Sequence, residues 1–327
     1  MASHGRIDVL KPIYVKDYVM QYKLLGQTGV TVSTLCFGTM SFGDTADEKT
    51  SAEMFHRCRE VGINFFDCAN VYAGGRSEEI LGGLIQDCRE EVIITSKATS
   101  RTADGVNQNG SSRFHLRQEI EKSLKRLNTD YIDVYFIHKF DSKTPIESVV
   151  RTLDDLVKQG KILYPAISNW AAWQISKALG IATAQNLSRV EVIQPMYNLV
   201  KRQAEVEILP MAKAENVAVI PYSPLGGGLL TGKYSTKSKP DVGCIVDNKM
   251  YGKRYSRERY YEVAENFTNY AQEKGYHPVS LAVAWAKSHP AVTAPIIGAR
   301  NLEQLEPSLD AIKIDMTPEW RAEIDLL

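Results

Sequence analysis

The sequence NFFDCANVYAGGRSEEILGG, residues 64–83, contains one complete strand–loop–helix unit, and its apolar run ends on a charge. Phe65 and Phe66 have the character of a buried strand, and Asp67 follows them directly. Tyr72 comes five positions later, in a glycine-containing loop that leads into a helical pattern. A strand, a polar loop and a helix in this order are typical of proteins built on a parallel sheet.

The same alternation repeats along the whole chain. Eight short runs rich in β-branched or aromatic residues predict strands at 34–37, 64–66, 92–95, 132–137, 162–167, 190–193, 217–220 and 294–297. Eight βα units without a linker between them predict the α/β class and a closed (β/α)8 barrel, the TIM barrel. A doubly wound open sheet is the alternative, but the Gly-x-Gly-x-x-Gly fingerprint of that fold is missing after the first strand.

The first nineteen residues differ in pattern from the rest. From Met20 the sequence MQYKLLGQTGVTVSTL predicts a β-hairpin that turns at residues 27–29. We therefore expect residues 1–19 to be an extension, either disordered or added to a natural chain that starts at Met20, and residues 20–327 to be one barrel domain. A transit peptide is a competing interpretation, which Asp8, Asp17 and the scarcity of serine weaken.

Composition indicates a small-molecule partner. Lysine plus arginine (39) equals aspartate plus glutamate (39) with no long run of one sign, which argues against nucleic acid or an anionic membrane as partner. No apolar stretch is long enough to span a membrane. The five cysteines are odd in number and lack a Cys-x-x-Cys pair, which favours reduced thiols, no metal site and a cytoplasmic location. Nothing in the sequence indicates an oligomeric state.

Four polar residues follow three consecutive predicted strands. Active sites of this barrel lie at the carboxyl ends of its strands, so Asp67, Tyr72, Lys97 and His138 are expected at one mouth. Each alone is more often part of a structural ion pair or of the core. Together they are complementary: the Lys97 ammonium would lower the pKa of the Tyr72 phenol, ordinarily about 10, and Asp67 would hold that ammonium. His138 would donate a hydrogen bond to an oxygen that becomes negative, so the set predicts protonation of an alkoxide.

Several long motifs resemble the aldo-keto reductase superfamily, from about Met20 to the end of the chain. They are LCFGTMSFG, DCANVYAGGRSEEILG, IITSK, SLKRLNTDYIDVYFIHKFD, GKILYPAISNW, QPMYNLV, PYSPLGGGLLTGKY and PIIGARNLEQL. Within the superfamily the pattern is most similar to microbial aldo/keto reductases related to potassium-channel beta subunits. The resemblance implies that Asp67, Tyr72, Lys97 and His138 are a catalytic tetrad in which Tyr72 is the general acid.

The resemblance also implies a bound NADP(H) across the barrel mouth. Nicotinamide would stack on Tyr222, the pyrophosphate would lie along the turn after the seventh strand, and the adenosine 2′-phosphate would lie after the eighth. The implied cofactor-binding residues are Gly38, Thr39, Met40, Asp67, Ser168, Asn169, Gln194, Tyr222, Ser223, Pro224, Leu225, Gly226, Gly227, Lys233, Gly298, Arg300 and Gln304. The location after strands seven and eight matches the usual phosphate site of this barrel.

The sequence departs from the family pattern at three positions that bear on the cofactor. Pro307 and Ser308 stand where similar members have Glu and Asn, which puts adenine contacts in doubt. Pro165 removes an amide from the fifth strand, and a bulge there would reposition Ser168.

Two classes of function follow. The first is an enzyme that reduces aldehydes or ketones to alcohols, or that runs in the oxidative direction as a sugar or alcohol dehydrogenase. The second is a nucleotide-sensing regulatory subunit, because the loop ATSRTADGVNQNGSSRFHL and SPLGGGLLTGKY also resemble potassium-channel beta subunits. Those subunits carry asparagine in place of the histidine and arginine after the serine of the strand-five motif. This chain keeps His138 and Asn169, which favours the enzyme.

Overall fold

The computed structural model describes residues 14–15 and 18–327. A short antiparallel pair joins β1 (Tyr14–Val15) to β2 (Tyr18–Val19). The predicted hairpin is confirmed, because β3 (Tyr22–Leu24) pairs antiparallel with β4 (Thr31–Ser33). The prediction of a detached segment at residues 1–19 falls mostly outside the described residues, so the division of the chain into an extension and one barrel domain stays a prediction.

All eight predicted barrel strands are present, each with ends within three residues of the prediction. They are β5 (Cys36–Gly38), β6 (Phe65–Asp67), β7 (Ile93–Ala98), β8 (Ile132–Ile137), β9 (Ile162–Ser168), β10 (Val192–Gln194), β11 (Ala218–Val219) and β12 (Ile296–Ile297). Neighbouring strands are parallel, in the order β11-β10-β9-β8-β7-β6-β5-β12. The amides of Thr293 and Ile296 each donate across the remaining seam, to Val219 O and Pro221 O at 2.8 Å. The (β/α)8 barrel is therefore confirmed.

Helices surround the strands and follow them along the chain. They are α1 (Glu48–Glu60), α2 (Arg76–Leu84), α3 (Arg113–Leu127), α4 (Ile146–Lys158), α5 (Ala172–Ala184), α6 (Ile208–Ala214), α7 (Cys244–Asp247), α8 (Lys249–Arg254), α9 (Glu258–Glu273), α10 (Pro278–Ser288), α11 (Leu302–Leu309) and α12 (Pro318–Ile324). Among the described residues, none of these helices combines the length and the apolar character that crossing a membrane requires.

The bulge considered at Pro165 does not form. The pairing of β8 with β9 keeps one register from Ile132–Ile162 through Tyr135–Pro165 to Ile137–Ile167. Pro165 lacks an N–H, but its carbonyl still accepts from Glu191 N at 2.9 Å, so the strand loses a donor without changing its path. Ser168 consequently stays in register with Gln194.

The interior of the barrel is filled by alternate residues of its strands. Side chains of a strand point to opposite faces in turn, so one set packs inside and the other packs against the helices. The inside set forms one buried cluster made of Cys36, Phe65, Val134, Phe136, Ala166, Val192, Ala218, Ile220, Ala294 and Ile296. Leu25 and Val32 join it from the hairpin, which closes the amino-terminal end of the barrel. The opposite end is left for polar residues.

Two adjacent glycines in α2 give a matched test of the packing around the barrel. A methyl group on Gly82 would lie 2.6 Å from Arg126 O and 2.7 Å from the carbonyl carbon of Leu127, at the end of α3, whereas one on Gly83 would meet nothing within 4 Å. We expect Gly82→Ala to lower the free energy of unfolding by roughly 1–3 kcal/mol through overpacking. Gly83→Ala should raise it by about 0.5–1 kcal/mol through helix propensity. Urea unfolding measures both, and equal effects would contradict the close approach of α2 to α3.

Candidate active site

Eight strands each deliver one residue to the open end of the barrel. Each of these residues continues the inward-facing alternation of its own strand, two positions after an interior residue such as Phe65 or Phe136. The residues are Gly38, Asp67, Lys97, His138, Ser168, Gln194, Tyr222 and Gly298. All of them were predicted from the sequence as site residues, and the structure brings them together at one mouth.

A buried ion pair lies at the centre of this mouth. The Lys97 ammonium is fully buried and lies 2.6 Å from Asp67 Oδ2, whose side chain is 3% exposed. Lys97 Nζ also donates to the carbonyl oxygen of Cys68 at 2.6 Å. Burial works against the ammonium, yet the Asp67 carboxylate beside it raises the pKa of Lys97 above its ordinary value. Lys97 is therefore a permanent cation in this position.

The Asp67 carboxylate is held on its other oxygen as well. Oδ1 accepts from the Thr95 hydroxyl at 2.7 Å and from Gln194 Nε2 at 2.8 Å. Donors on both oxygens fix the rotation of the carboxylate and therefore the position of the Lys97 ammonium. Thr95 was not singled out in the sequence, although it lies on the inward face of β7, two residues before Lys97.

Tyr72 reaches the ion pair from a tight turn after β6. Its hydroxyl lies 3.4 Å from Lys97 Nζ. Ala73, Gly74 and Gly75 follow with φ angles of 47°, 65° and 102°, and three left-handed residues in succession direct the chain into α2. Glycine adopts such angles freely, but Ala73 does so at a cost, so the turn is held by its surroundings.

The net effect on the Tyr72 phenol differs from the prediction. Burial raises the pKa of Tyr72 above its ordinary value, and the charge of Lys97 opposes this only in part. The prediction of a lowered pKa is therefore wrong for the protein without a ligand, because desolvation of the phenolate outweighs the attraction of the ammonium. The hydroxyl keeps its proton throughout the neutral range.

His138 faces Tyr72 across the mouth. The two rings are 6.2 Å apart between centroids and meet edge to face at 81°. Burial, followed by the charges of Lys97 and Lys139, lowers the pKa of His138 to about 3. The imidazole is therefore neutral at ordinary pH and can donate one hydrogen bond without bringing a second cation beside Lys97.

The residues after β9, β10 and β11 form a hydrogen-bonded chain beside the ion pair. Ser168 Oγ donates to Gln194 O at 2.9 Å, and Asn169 Nδ2 donates to Ser168 Oγ at 2.9 Å and to His138 O at 3.0 Å. The Tyr222 hydroxyl donates to Asn169 Oδ1 at 2.8 Å. Asn169 adopts a left-handed φ of 59°, which turns its side chain from strand β9 toward both neighbours. The Tyr222 ring is thereby fixed at the edge of the mouth.

The three predicted residues after β5 have different surroundings. Gly38 has no room for a side chain, since a Cβ would lie 2.8 Å from the Ile296 side chain. Thr39 is fully buried and donates to Asp67 O at 3.1 Å, so it supports the ion pair from below. Met40 is 51% exposed and reaches the surface of the mouth.

A glycine-rich turn follows the Ser223-Pro224-Leu225 segment after β11. Gly226 and Gly227 have φ angles of 60° and 68°, and a Cβ on Gly227 would lie 2.8 Å from the Tyr251 ring. The left-handed angles favour glycine at both positions, and the close approach of the Tyr251 ring leaves no room for a side chain at Gly227. Tyr251 was not predicted, because nothing in the local sequence of α8 places it over this turn.

Three cations lie in the segments that follow β11 and β12. Within the described part of the chain, Lys233, Arg254 and Arg300 form no ion pair with a carboxylate. Arg254 lies 6.0 Å above the Tyr222 ring, and Arg300 contacts the Cys244 sulfur at 3.7 Å. Cations without a carboxylate partner suit an anionic group such as a phosphate. Arg254 is a further candidate that the sequence did not indicate.

Helix α11 begins directly after the loop that follows β12. Asn301 Oδ1 accepts from Gln304 N at 3.0 Å and caps α11, while Gln304 Oε1 accepts from Arg300 N at 3.2 Å. Gln304 therefore orders the loop that carries Arg300. Gly298, exposed at the exit of β12, leaves the approach to this loop open.

Comparison with known proteins agrees with this geometry. Residues 34–327 match the model of the aldo/keto reductase family. The uncharacterized oxidoreductase YrpG of Bacillus subtilis is 36% identical over 92% of this chain and 93% of its own length. A probable voltage-gated potassium channel subunit beta of Arabidopsis thaliana is 37% identical over 90% and 92%, and norsolorinic acid reductase of Aspergillus flavus is 32% identical over 92% and 79%. The fold, the site and these similarities together show that the chain belongs to the aldo/keto reductase family.

Proposed function

We propose that this protein is an NADP(H)-dependent oxidoreductase that reduces aldehydes or ketones to alcohols, with Tyr72 as the general acid. The observation that carries the proposal is the Tyr72 hydroxyl 3.4 Å from a fully buried ammonium, with a neutral imidazole facing it. A structural ion pair alone would not require a phenol and an imidazole beside it. The family match supports oxidoreductase chemistry in general.

Each member of the tetrad has a distinct task. Bound NADPH would supply the hydride. Tyr72 donates its proton to the carbonyl oxygen, and Lys97 stabilises the phenolate that remains. His138, being neutral, donates a hydrogen bond that orients this oxygen toward Tyr72. Asp67 keeps the Lys97 ammonium charged and in position.

The residues of the mouth fit a dinucleotide phosphate. Tyr222 offers a fixed ring, and Lys233, Arg254 and Arg300 offer positive charge. We assign the pyrophosphate to the glycine-rich turn and the 2′-phosphate to Arg300, because Arg300 lies in a loop ordered by its own helix cap.

A nucleotide-sensing regulatory subunit is the second candidate, supported by the similarity to the Arabidopsis potassium channel subunit. Both candidates would bind the cofactor, but only the enzyme would turn over carbonyl substrates. The presence of His138 and Asn169, together with a complete tetrad, favours the enzyme. Oxidation of a sugar or alcohol is the same reaction in reverse and uses the same residues.

Replacing Tyr72 by phenylalanine removes only the proton donor. We expect Tyr72→Phe to lower kcat for aldehyde reduction by roughly 10²–10⁴-fold, with NADPH binding unchanged, because the ring still fills its place. Steady-state rates and a fluorescence titration with NADPH measure the two quantities. Tyr164→Phe is the control, since its hydroxyl makes only a long 3.5 Å contact with Thr28 O near the hairpin end. Full activity of Tyr72→Phe would exclude Tyr72 as the acid.

The pKa directions predict different pH profiles for reduction and for oxidation. Tyr72 is protonated below its raised pKa and His138 is neutral above about 3, so reduction should be nearly constant between about pH 5 and about pH 9. Oxidation needs the phenolate and should increase with pH across that range. Initial rates measured in both directions test this prediction. A deuterated hydride donor identifies the conditions where hydride transfer limits the rate. Parallel pH profiles for reduction and oxidation would contradict the assignment of Tyr72 as the general acid.

Arg300 should distinguish the two nicotinamide cofactors. Arg300→Ala is expected to cost roughly 1–3 kcal/mol of NADPH binding, the range for a charge-assisted hydrogen bond, and to leave NADH binding almost unchanged. Arg254→Ala is the contrasting variant. Removing a cation beside the pyrophosphate should weaken the binding of NADPH and NADH alike. Fluorescence titrations of both variants with NADPH and with NADH measure these changes in affinity. Equal losses of NADPH and NADH affinity in Arg300→Ala would mean that Arg300 supports its loop and does not read the phosphate.

A further inference from the structure

Asn198 is a buried polar side chain to which the proposed mechanism gives no task. It lies in the loop after β10 and is fully buried. Its Nδ2 donates two hydrogen bonds, to Ser223 O at 2.9 Å and to the Tyr255 hydroxyl at 3.1 Å. One amide group therefore joins three segments that are distant in the sequence: the loop after β10, the loop after β11 and the residue that follows α8.

The bond to Ser223 restrains the entry to the glycine-rich turn. Ser223 has a left-handed φ of 59°, which a residue with a side chain adopts at a cost, so its surroundings must hold it. The Ser223 carbonyl accepts from Gly226 N at 2.9 Å, which closes the turn, and Asn198 Nδ2 donates to the same oxygen. Asn198 thus fixes the direction of the peptide group through which the chain enters the turn.

The bond to Tyr255 extends this restraint to the other side of the turn. Tyr255 is fully buried, and its ring lies against the turn, since a Cβ on Gly226 would be 3.7 Å from it and one on Gly227 would be 3.4 Å from it. Arg254, which lies 6.0 Å from the Tyr222 ring, precedes Tyr255 directly. Holding the Tyr255 hydroxyl therefore also fixes the end of the helix that carries the Arg254 guanidinium.

The other half of the Asn198 amide shows that filling space is not what the position requires. Within the part of the chain that the structure describes, Asn198 Oδ1 is buried without a hydrogen-bond partner. A buried polar atom in this state costs free energy. Leucine has a similar size and would avoid that cost, but it could hold neither Ser223 nor Tyr255. The two bonds that Nδ2 donates are consequently what Asn198 supplies.

We propose that Asn198 is a positioning residue for the cofactor, because it holds the glycine-rich turn and the end of α8 in a single arrangement around the pyrophosphate. This inference rests on the proposed function, which assigns the pyrophosphate to that turn. NADPH and NADH share the pyrophosphate, so Asn198 acts on both cofactors alike, whereas Arg300 is assigned to the 2′-phosphate alone. Its donor bonds go to residues outside the tetrad, so it acts on binding and not on the proton transfer.

Two asparagines that brace loops at opposite ends of the barrel allow a matched comparison. Asn64 braces the hairpin end, where its Oδ1 accepts from Ser33 N at 2.8 Å and its Nδ2 donates to Thr31 O at 3.1 Å. We expect Asn198→Ala to raise Kd about tenfold for NADPH and for NADH, the effect of one or two lost hydrogen bonds. KM for NADPH should rise in parallel without a fall in kcat. Asn64→Ala also loses two hydrogen bonds, yet both Kd values should stay the same.

A second variant keeps the test informative if Asn198→Ala does not fold. Tyr255→Phe removes one hydroxyl and keeps the ring, and we expect it to raise both Kd values about threefold. Fluorescence titrations with NADPH and NADH measure the Kd values of all three variants. Unchanged Kd values in Asn198→Ala and Tyr255→Phe, or an equal rise in Asn64→Ala, would overturn the proposal.

Hydrogen exchange in the cofactor-free protein tests the restraint independently of the proposed function. Because Gly226 N is bonded to Ser223 O, peptides covering residues 222–228 and 250–256 should exchange faster in Asn198→Ala and at the natural rate in Asn64→Ala. A natural chain that binds neither cofactor, combined with this change in exchange, would refute the proposed function and retain Asn198 as the residue that orders the turn. Natural exchange rates in Asn198→Ala would refute that ordering role.

Discussion

The site depends on the ion pair between the buried Lys97 ammonium and the Asp67 carboxylate. A charge without solvent exposure costs many kcal/mol unless a partner compensates it, and here Asp67 Oδ2 and the Cys68 carbonyl do so at 2.6 Å each. Because Thr95 and Gln194 hold the second carboxylate oxygen, the ion pair has a single arrangement. The proposed role of Tyr72 depends on this fixed charge, since the ammonium favours the phenolate that burial opposes.

The barrel explains why so many polar groups meet without disrupting the core. Along most strands the inward positions are apolar through the interior and the last one is polar, as Phe65 is followed by Asp67 and Phe136 by His138. Polar residues therefore occupy one layer at the open end, where they satisfy each other through hydrogen bonds. The hairpin closes the other end with apolar residues, so stability and chemistry lie at opposite ends of the barrel.

Proteins named for different functions belong to this family, so function depends on the residues of the mouth. Relatives named as oxidoreductases and as potassium channel subunits match this chain over similar lengths. A neutral imidazole at His138 and an asparagine at Asn169, bonded to both His138 and Tyr222, are the local features that favour turnover.

The sequence by itself determined the strands and the class of fold and indicated the four residues of the proposed tetrad, because alternating apolar residues and the charges that end them are local patterns. It did not determine the pKa of Tyr72, whose direction was predicted wrongly, since burial depends on side chains distant in the chain. The sequence also suggested a bulge at Pro165. No bulge forms, because the Pro165 carbonyl still accepts a hydrogen bond from Glu191 N and the strand keeps its register. Arg254 became a candidate only in the tertiary structure, because helix α8 brings it over the Tyr222 ring through packing that no local pattern encodes.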